Sequence, residues 1–400
     1  MRTFLDRPQS VLARRALFQV HLWLGIVTGL YIFVVCATGA ALVFRIDIQR
    51  AMHPALFRPR TTGVLADPVT VMESVQKAYP EWTVSGVEAP TTTRPTYLAY
   101  AASGDRFITL LLDPVSAEVL GEVPEQSFVR TLQDLHFDLL GGRSGRVVNG
   151  VGAVVLLGMC LTGLVIWWPG RSNWTRSLMV DFGRQWKRVN WDLHSAIGIW
   201  TVVLIAMWAV TGAYFIFPAP IRLAVNRISP LTQVATPQSN PAPAAASRPS
   251  WRALVDEARR RVPEQHVARV VLSSSETSPF LVMFSRDQPT PGNPELTSVY
   301  LDQYTGEALT VPSPARRSAG DIVMAWLTPL HVGNFGGNGI RVAWLLLGIA
   351  PPVLFVTGFI MWWTRVVRAR WLRAPRPAAE TAQPRRHDKL ATSYPAEPEG

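Results

Sequence analysis

The sequence predicts an α-helical membrane protein: four transmembrane helices built as a duplicated two-helix unit, with two small α+β domains outside the bilayer. Three observations predict it. Four apolar runs, Leu17–Phe44, Val147–Trp168, Ala196–Phe217 and Val342–Trp363, are long enough to cross a hydrocarbon core, which takes about 20 residues. Arginines cluster at the ends of those runs. And one spacing of histidine to Thr-Gly occurs twice, in the same order, in the two halves of the chain.

The first run is longer than a signal peptide and lacks its cleavage site, which predicts an uncleaved span. Arg2, Arg7, Arg14 and Arg15 precede it; Arg171, Arg176, Arg184, Lys187 and Arg188 fill the link between spans two and three; Arg365, Arg368, Arg370 and Arg373 follow span four. Short loops rich in lysine and arginine stay in the cytoplasm. The N-terminus (1–16), the link (169–193) and the tail (364–400) are therefore expected there. The long segments 45–146 and 218–341 fall on the outer side, which in a bacterial inner membrane is the periplasm.

Each outer segment carries an α+β pattern. In the first, Pro68–Tyr79 is amphipathic, and Trp82–Val87, Thr96–Ala101 and Phe107–Asp113 alternate as strands. A turn at Asp113-Pro114-Val115-Ser116 then leads into Ala117–Leu120. In the second, Trp251–Val262 is the helix and Val267–Leu272, Phe280–Phe284 and Ser298–Asp302 the strands, with a turn at Asp302–Gly306. Ser229–Pro249 is rich in Pro, Ala and Ser and reads as a linker; the tail from Ala374 has the composition of a disordered segment. Between each outer domain and the following span lies a short amphipathic helix, Phe128–Leu140 or Ile322–His331, and then a glycine-rich loop. Such helices lie at the interface and turn one face inward.

Composition narrows the function. Of 400 residues 48% are apolar, yet 32 prolines and 28 glycines argue against one soluble core, and 15 tryptophans suit membrane interfaces. The net charge of +11 sits beside the apolar runs, so it reports orientation in a lipid bilayer rather than nucleic-acid binding. Cys36 and Cys160 both fall inside spans, and no CxxC or CxxCH occurs. A disulfide framework, a zinc ribbon and covalently attached haem are thereby excluded. The glycine-rich loops lack the Lys-Ser/Thr ending of a phosphate cradle, and no GxGxxG follows a strand, so electrons or phosphate from a bound nucleotide are not indicated.

The chemistry-bearing residues are four histidines. His21 precedes Thr38-Gly39 by 17 residues, as His194 precedes Thr211-Gly212; His136 precedes Thr162-Gly163 by 26, as His331 precedes Thr357-Gly358. Both halves then point the same way through the membrane, related by a pseudo-two-fold axis along its normal. His21 and His194 fall at the cytoplasmic ends of spans one and three, His136 and His331 on the outer side. Two imidazoles facing each other across such an axis suit bis-histidine ligation of a b-type haem iron, giving two haems. Gly25 and Gly198, one turn after the first pair, leave room for a porphyrin. Arg15 and Arg188 lie six residues before that pair, and Arg146 and Arg341 ten after the other, where cations could pair with propionates. His53, His266 and His387 have no counterpart in the other half, and carboxylates near the four histidines are not repeated, against a metal cage common to both halves.

At these residues the chain resembles the PepSY-associated transmembrane family. His21-Leu-Trp-Leu-Gly25 with Thr38-Gly39, and His194-Ser-Ala-Ile-Gly198 with Thr211-Gly212, carry the resemblance. So do Asp113-Pro-Val-Ser-Ala-Glu118 and Asp302-Gln-Tyr-Thr-Gly-Glu307, which look like the hairpins of PepSY domains. It covers about Ala16–Arg365 and departs at the insertion Gln288–Asn293. The resemblance implies an inner-membrane protein of iron uptake, of the ferric-siderophore reductase type, passing electrons from an unidentified membrane or cytosolic donor to a periplasmic ferric chelate. The alternatives are a non-redox membrane anchor whose PepSY domains bind peptides or regulate a peptidase, and a permease subunit for ferric siderophores. The repeated histidines argue against the first. The second expects broken helices and polar residues at mid-membrane.

Overall fold

The computed structural model describes residues 12–170, 174–232, 237–241, 248–286, 296–310, 318–368 and 371. Arg2, Arg7, Arg171, Arg370, Arg373, the Gln288–Asn293 insertion and the tail from Ala374 lie outside the described residues. Four helices are long and apolar enough to cross a membrane: Leu12–Leu42, Gly142–Trp167, Trp186–Ile216 and Gly337–Val367. Each runs beyond its apolar stretch. Span three begins ten residues earlier than Ala196, because Trp186–His194 continues the helix although it is polar. Span four is not one continuous rod. It breaks at Ile349 into Gly337–Gly348 and Ala350–Trp362, then ends in a π-helical turn, Trp363–Val367. Pro351 and Pro352 explain the break, since neither has an N–H to return to the preceding turn.

Small residues set the helix contacts, as expected where lipid supplies no hydrophobic drive between helices. A methyl group on Gly348 would lie 3.0 Å from the Ala40 side chain, so spans one and four cross closely. One on Gly150 would lie 2.8 Å from Ile216, joining spans two and three. Polar ties complete the ring of helices. The Tyr31 hydroxyl donates to the Asn149 carboxamide oxygen at 2.7 Å, and Asn190 donates to the Thr357 carbonyl at 2.9 Å.

The two outer segments, expected as two small domains, supply four strands each to one sheet. These are β1 (Thr83–Glu88), β2 (Tyr97–Ser103), β3 (Arg106–Leu112), β4 (Val119–Glu122), β5 (His266–Val271), β6 (Phe280–Ser285), β7 (Thr297–Leu301) and β8 (Ala308–Thr310). The order is β4-β3-β2-β1-β5-β6-β7-β8, antiparallel throughout, so the halves meet where β1 pairs β5. There Gly86 faces Val271, Val87 faces Val270 and Glu88 faces Arg269. Gly86 is required by that approach: a methyl group on it would stand 2.7 Å from the Val270 carbonyl oxygen.

Helices Pro68–Ala78 and Trp251–Arg261 cover one face of the sheet. Val71, Met72 and Val75 from the first, and Leu254, Val255 and Ala258 from the second, join Val87, Leu110, Val270, Val282 and Phe284 in one buried cluster. Asp67 and Ser250 cap these helices by accepting from Val69 and Ala253, and Arg259 bridges to Asp67 at 2.6 Å.

The two predicted aspartate turns act as staples. Asp113, fully buried, accepts from the backbone N–H of Arg60 (2.6 Å), Thr61, Val115 and Ser116 (each 3.0 Å), and from the Thr61 hydroxyl. Asp302 accepts from Asn240 (2.9 Å), Tyr304 (2.8 Å) and Thr305 (3.0 Å). Each carboxylate pins an irregular segment, at Arg60-Thr61 or at Asn240, to its own hairpin. Burial alone would raise the pKa of Asp113. The bonds from Thr61, Ser116, Val115 and Arg60 outweigh burial and hold it well below the usual carboxylate range.

Candidate functional site

All four histidines enter the helical bundle, and each is seated on the Thr-Gly pair of a neighbouring span. His21 on span one places Nδ1 3.0 Å from the Thr162 hydroxyl of span two; His194 on span three places Nδ1 2.9 Å from Thr357 of span four. The second pair comes from the short helices Phe128–Asp138 and Ala319–Val332. His136 Nδ1 lies 2.8 Å from the Val35 carbonyl and 3.3 Å from the Thr38 hydroxyl of span one, and His331 Nδ1 lies 2.7 Å from Thr211 of span three.

The glycine after each threonine faces the same ring. A methyl group there would meet the imidazole Cε1 at 2.7 Å on Gly39, 3.3 Å on Gly163 and Gly358, and 3.7 Å on Gly212. Glycine thus makes room for the ring, and threonine fixes its Nδ1.

The hydrogen bonds determine which nitrogen is free. Each threonine hydroxyl already donates its single hydrogen to the carbonyl four residues back: Thr38 to Val34, Thr162 to Gly158, Thr211 to Met207 and Thr357 to Val353, at 2.8–2.9 Å. The oxygen can then only accept, so Nδ1 carries the proton. For His136 the Val35 carbonyl requires the same, as a carbonyl has no hydrogen to give. Nε2 is left with its lone pair in all four rings, the state of a metal-ligating imidazole whose other nitrogen is held in place. Burial lowers the pKa of His136 and His331, and for His331 the neighbouring His136 lowers it further.

His136 and His331 face each other with ring centroids 6.4 Å apart and planes at 50°. Two metal–imidazole bonds of about 2.0–2.1 Å, plus about 1.1 Å from each Nε2 to its ring centre, give about 6.3 Å between centres. The centroid separation matches that sum for two Nε2 atoms directed at one shared metal ion. Among the described residues no group of three or more His, Cys, Asp or Glu side chains is placed to hold a metal ion.

Other predicted residues are placed unequally. A methyl on Gly25 would lie 3.4 Å from Met159, and one on Gly198 3.8 Å from Leu354, so the helix surface beside each is open to ordinary contact. Arg15 and Arg146 are exposed. Arg188 pairs with Asp192 one turn on, at 3.0 Å. Arg341 is the buried one: it pairs with Asp47, donates to Asn338 at 2.8 Å, and lies 4.3 Å above the Phe44 ring.

Supports that the sequence did not single out hold the outer helices. Asn149 donates to the carbonyls of His136 (2.7 Å) and Phe137, and the Trp344 indole donates to Leu330 at 2.8 Å. Phe215 packs edge-on to His331 with centroids 5.0 Å apart. Arg14, rather than Arg15, ties span one to the end of span two through the Ile166 carbonyl. The Thr-Gly pairs were visible as spacing markers, but their partners were not. The interval of 17 residues along one helix is about 26 Å, so the Thr-Gly pair counted from His21 serves His136 instead.

Four apolar helices and a sheet on one side define a helical membrane protein with histidines seated inside its bundle. A family model described as the PepSY-associated TM region matches residues 18–365, and the chain belongs to that family. No curated protein matches the sequence.

Proposed function

We propose that the protein is a di-haem electron carrier of the bacterial inner membrane that reduces ferric chelates, of the ferric-siderophore reductase type, built from two copies of one two-span unit. The observation that carries it is the His136–His331 pair: two rings 6.4 Å apart, each with Nδ1 engaged. His136 and His331 would hold one haem b, and His21 and His194 the other. Bound haem supplies one-electron chemistry, with a potential set by its axial ligands and their hydrogen bonds.

The chain's own residues do the positioning. The threonines would hold each ring with Nε2 free for the group, the glycines would admit the ring, and the surrounding apolar spans would limit water around it. Ferric iron in a chelate takes up one electron and becomes ferrous, which siderophores hold far less tightly. The donor is a membrane or cytosolic reductant acting at the His21–His194 end, with both termini cytoplasmic and the sheet in the periplasm. The peptide-binding anchor reading leaves the four seats without a purpose. Among the described spans the helix break at Ile349 is packed closely through Gly348 on Ala40, which gives the permease reading little support.

The test is the visible spectrum of the purified protein. A dithionite-sensitive b-type Soret and α band is expected, with one haem lost in His136→Ala or His331→Ala and the other in His21→Ala or His194→Ala. A preparation expressed with ample haem that shows no such bands overturns the reading.

A further inference from the structure

Beyond the outer histidines, between the helix ends and the sheet, lies a half-enclosed cavity of about 220 Å³. Its walls include Arg45, Arg341, Asn334 and Asn338 from the helical side, and Thr92 and Thr93 from the loop joining β1 to β2. It adjoins the proposed outer haem site: Val332, next to His331, lines it, and so does Val43. Val43 is eight residues past Val35, or about 12 Å along the helix.

The charge of this place is unbalanced. Asp47 is shared by Arg50 (3.0 Å) and Arg341, and Glu88 by Arg94 (3.6 Å) and Arg269 (3.5 Å). The Arg45 side chain makes no hydrogen bond or ion pair with any described residue, though it feels Glu88 at longer range and is repelled by Arg341. Its nitrogens are not among the buried atoms left without a partner, so the guanidinium is half-exposed to the cavity and free to receive an anion. The Asn334 carboxamide oxygen is buried at the same wall without a hydrogen-bond partner; as an acceptor it calls for a donor such as water, and the anion's contacts fall to the arginines. The N-terminal turn of span four, Gly337-Asn338, opens onto the same space and adds the positive end of a helix dipole.

We infer that this cavity is the docking site of the chelate, and that it selects ferric complexes bearing free carboxylates, whose anionic arm sits against Arg45 and Arg341. The inference rests on the proposed reductase activity and names its substrate class. The volume suits an arm rather than a whole chelate, since a water takes about 30 Å³ of liquid and complete ligand pockets run to about 300 Å³ or more. The rest of the complex stays at the mouth, beside Thr92. A haem propionate offers the same chemistry from the other side, and the experiment separates the two.

The probe is gallium(III) citrate, an anionic complex that cannot be reduced under these conditions. Its binding to the haem-loaded, detergent-purified protein is followed by calorimetry, so no electron transfer is needed. Wild type is expected to bind it, and Arg45→Gln to bind at least tenfold more weakly with haem content unchanged. Thr92→Glu, an exposed loop change that leaves the bundle intact, is expected to weaken binding likewise. A gallium complex of a cationic hydroxamate chelator should show no dependence on Arg45. Equal affinity for gallium citrate in wild type and both variants, or no binding to wild type, overturns the inference. Loss of a haem in Arg45→Gln also overturns it, assigning the arginine to a propionate. Arg45-dependent binding by a protein that carries no haem would instead sustain the site and sink the reductase reading.

Discussion

At the residue scale the recurring device is a histidine, a threonine and a glycine drawn from two neighbouring helices. Threonine accepts from Nδ1–H while donating to its own helix, and this acceptor makes Nε2 more basic. A more basic axial ligand favours ferric over ferrous iron. If His136 and His331 hold a haem as proposed, Thr211→Val should keep it but raise its midpoint potential by tens of mV, on the order of one net hydrogen bond, about 1 kcal/mol. A redox titration of the α band checks this, and an unchanged potential would count against the tautomer argument. The glycines differ among themselves. Gly39→Ala would press its methyl to 2.7 Å from the His136 ring, whereas Gly212→Ala reaches only 3.7 Å from His331. Haem content per chain should fall by one in Gly39→Ala and hold in Gly212→Ala.

At the element scale the aspartate turns are the features whose meaning changed most on folding. From the sequence they were hairpin signals. In the fold each carboxylate gathers backbone N–H groups from its own turn and from an irregular segment, at Arg60 and Thr61 for Asp113 and at Asn240 for Asp302. Asp113→Asn loses the charge on these bonds and should destabilise the outer domain by about 1–3 kcal/mol in a thermal melt. The pH dependence has a definite sign. Asp113 has a folded pKa below its unfolded value of about 3.9, so its stabilisation is complete above that value. It is lost as pH falls from there towards the folded pKa, and the Asn variant should lack that part of the acid destabilisation. Helix types and the strand pattern could be read from periodicity. The break at Ile349 could have been read from Pro351-Pro352, but the surrounding apolar run masked it.

For the whole molecule the arrangement seats His136 and His331 at one level of the bundle, 6.4 Å apart, and His21 and His194 on other spans at a second level. Val35 and Thr38, which seat His136, lie 14 and 17 residues from His21 on the same span, or about 21–26 Å along the helix. Protein reconstituted in liposomes, with a reductant on the His21–His194 side and a ferric chelate on the other, should produce ferrous iron beside the chelate, trapped by a colorimetric ferrous ligand. Each of the four His→Ala variants should abolish this passage. Passage that persists at the wild-type rate in a variant lacking one haem would refute a serial path through both. The sheet belongs to this scale as well, since β1 and β5, from separate halves, join in one antiparallel ladder and bury one core.

Two things were settled along the chain alone: four apolar runs, and four histidines at repeated spacings from Thr-Gly. Both follow from local demands, the length of a hydrocarbon core and the residue types that chemistry requires. Which histidine meets which threonine was decided only by tertiary structure, because the partners sit on different helices, 98 to 163 residues apart. The fusion of the outer strands into one sheet was likewise hidden, since an edge strand carries no mark of the partner it will meet. The asymmetry of the arginines, with Arg341 buried against Asp47 and Arg146 exposed, is the same kind of fact. Sequence spacing treated them as equivalent, and only packing gave one of them a carboxylate and a cavity.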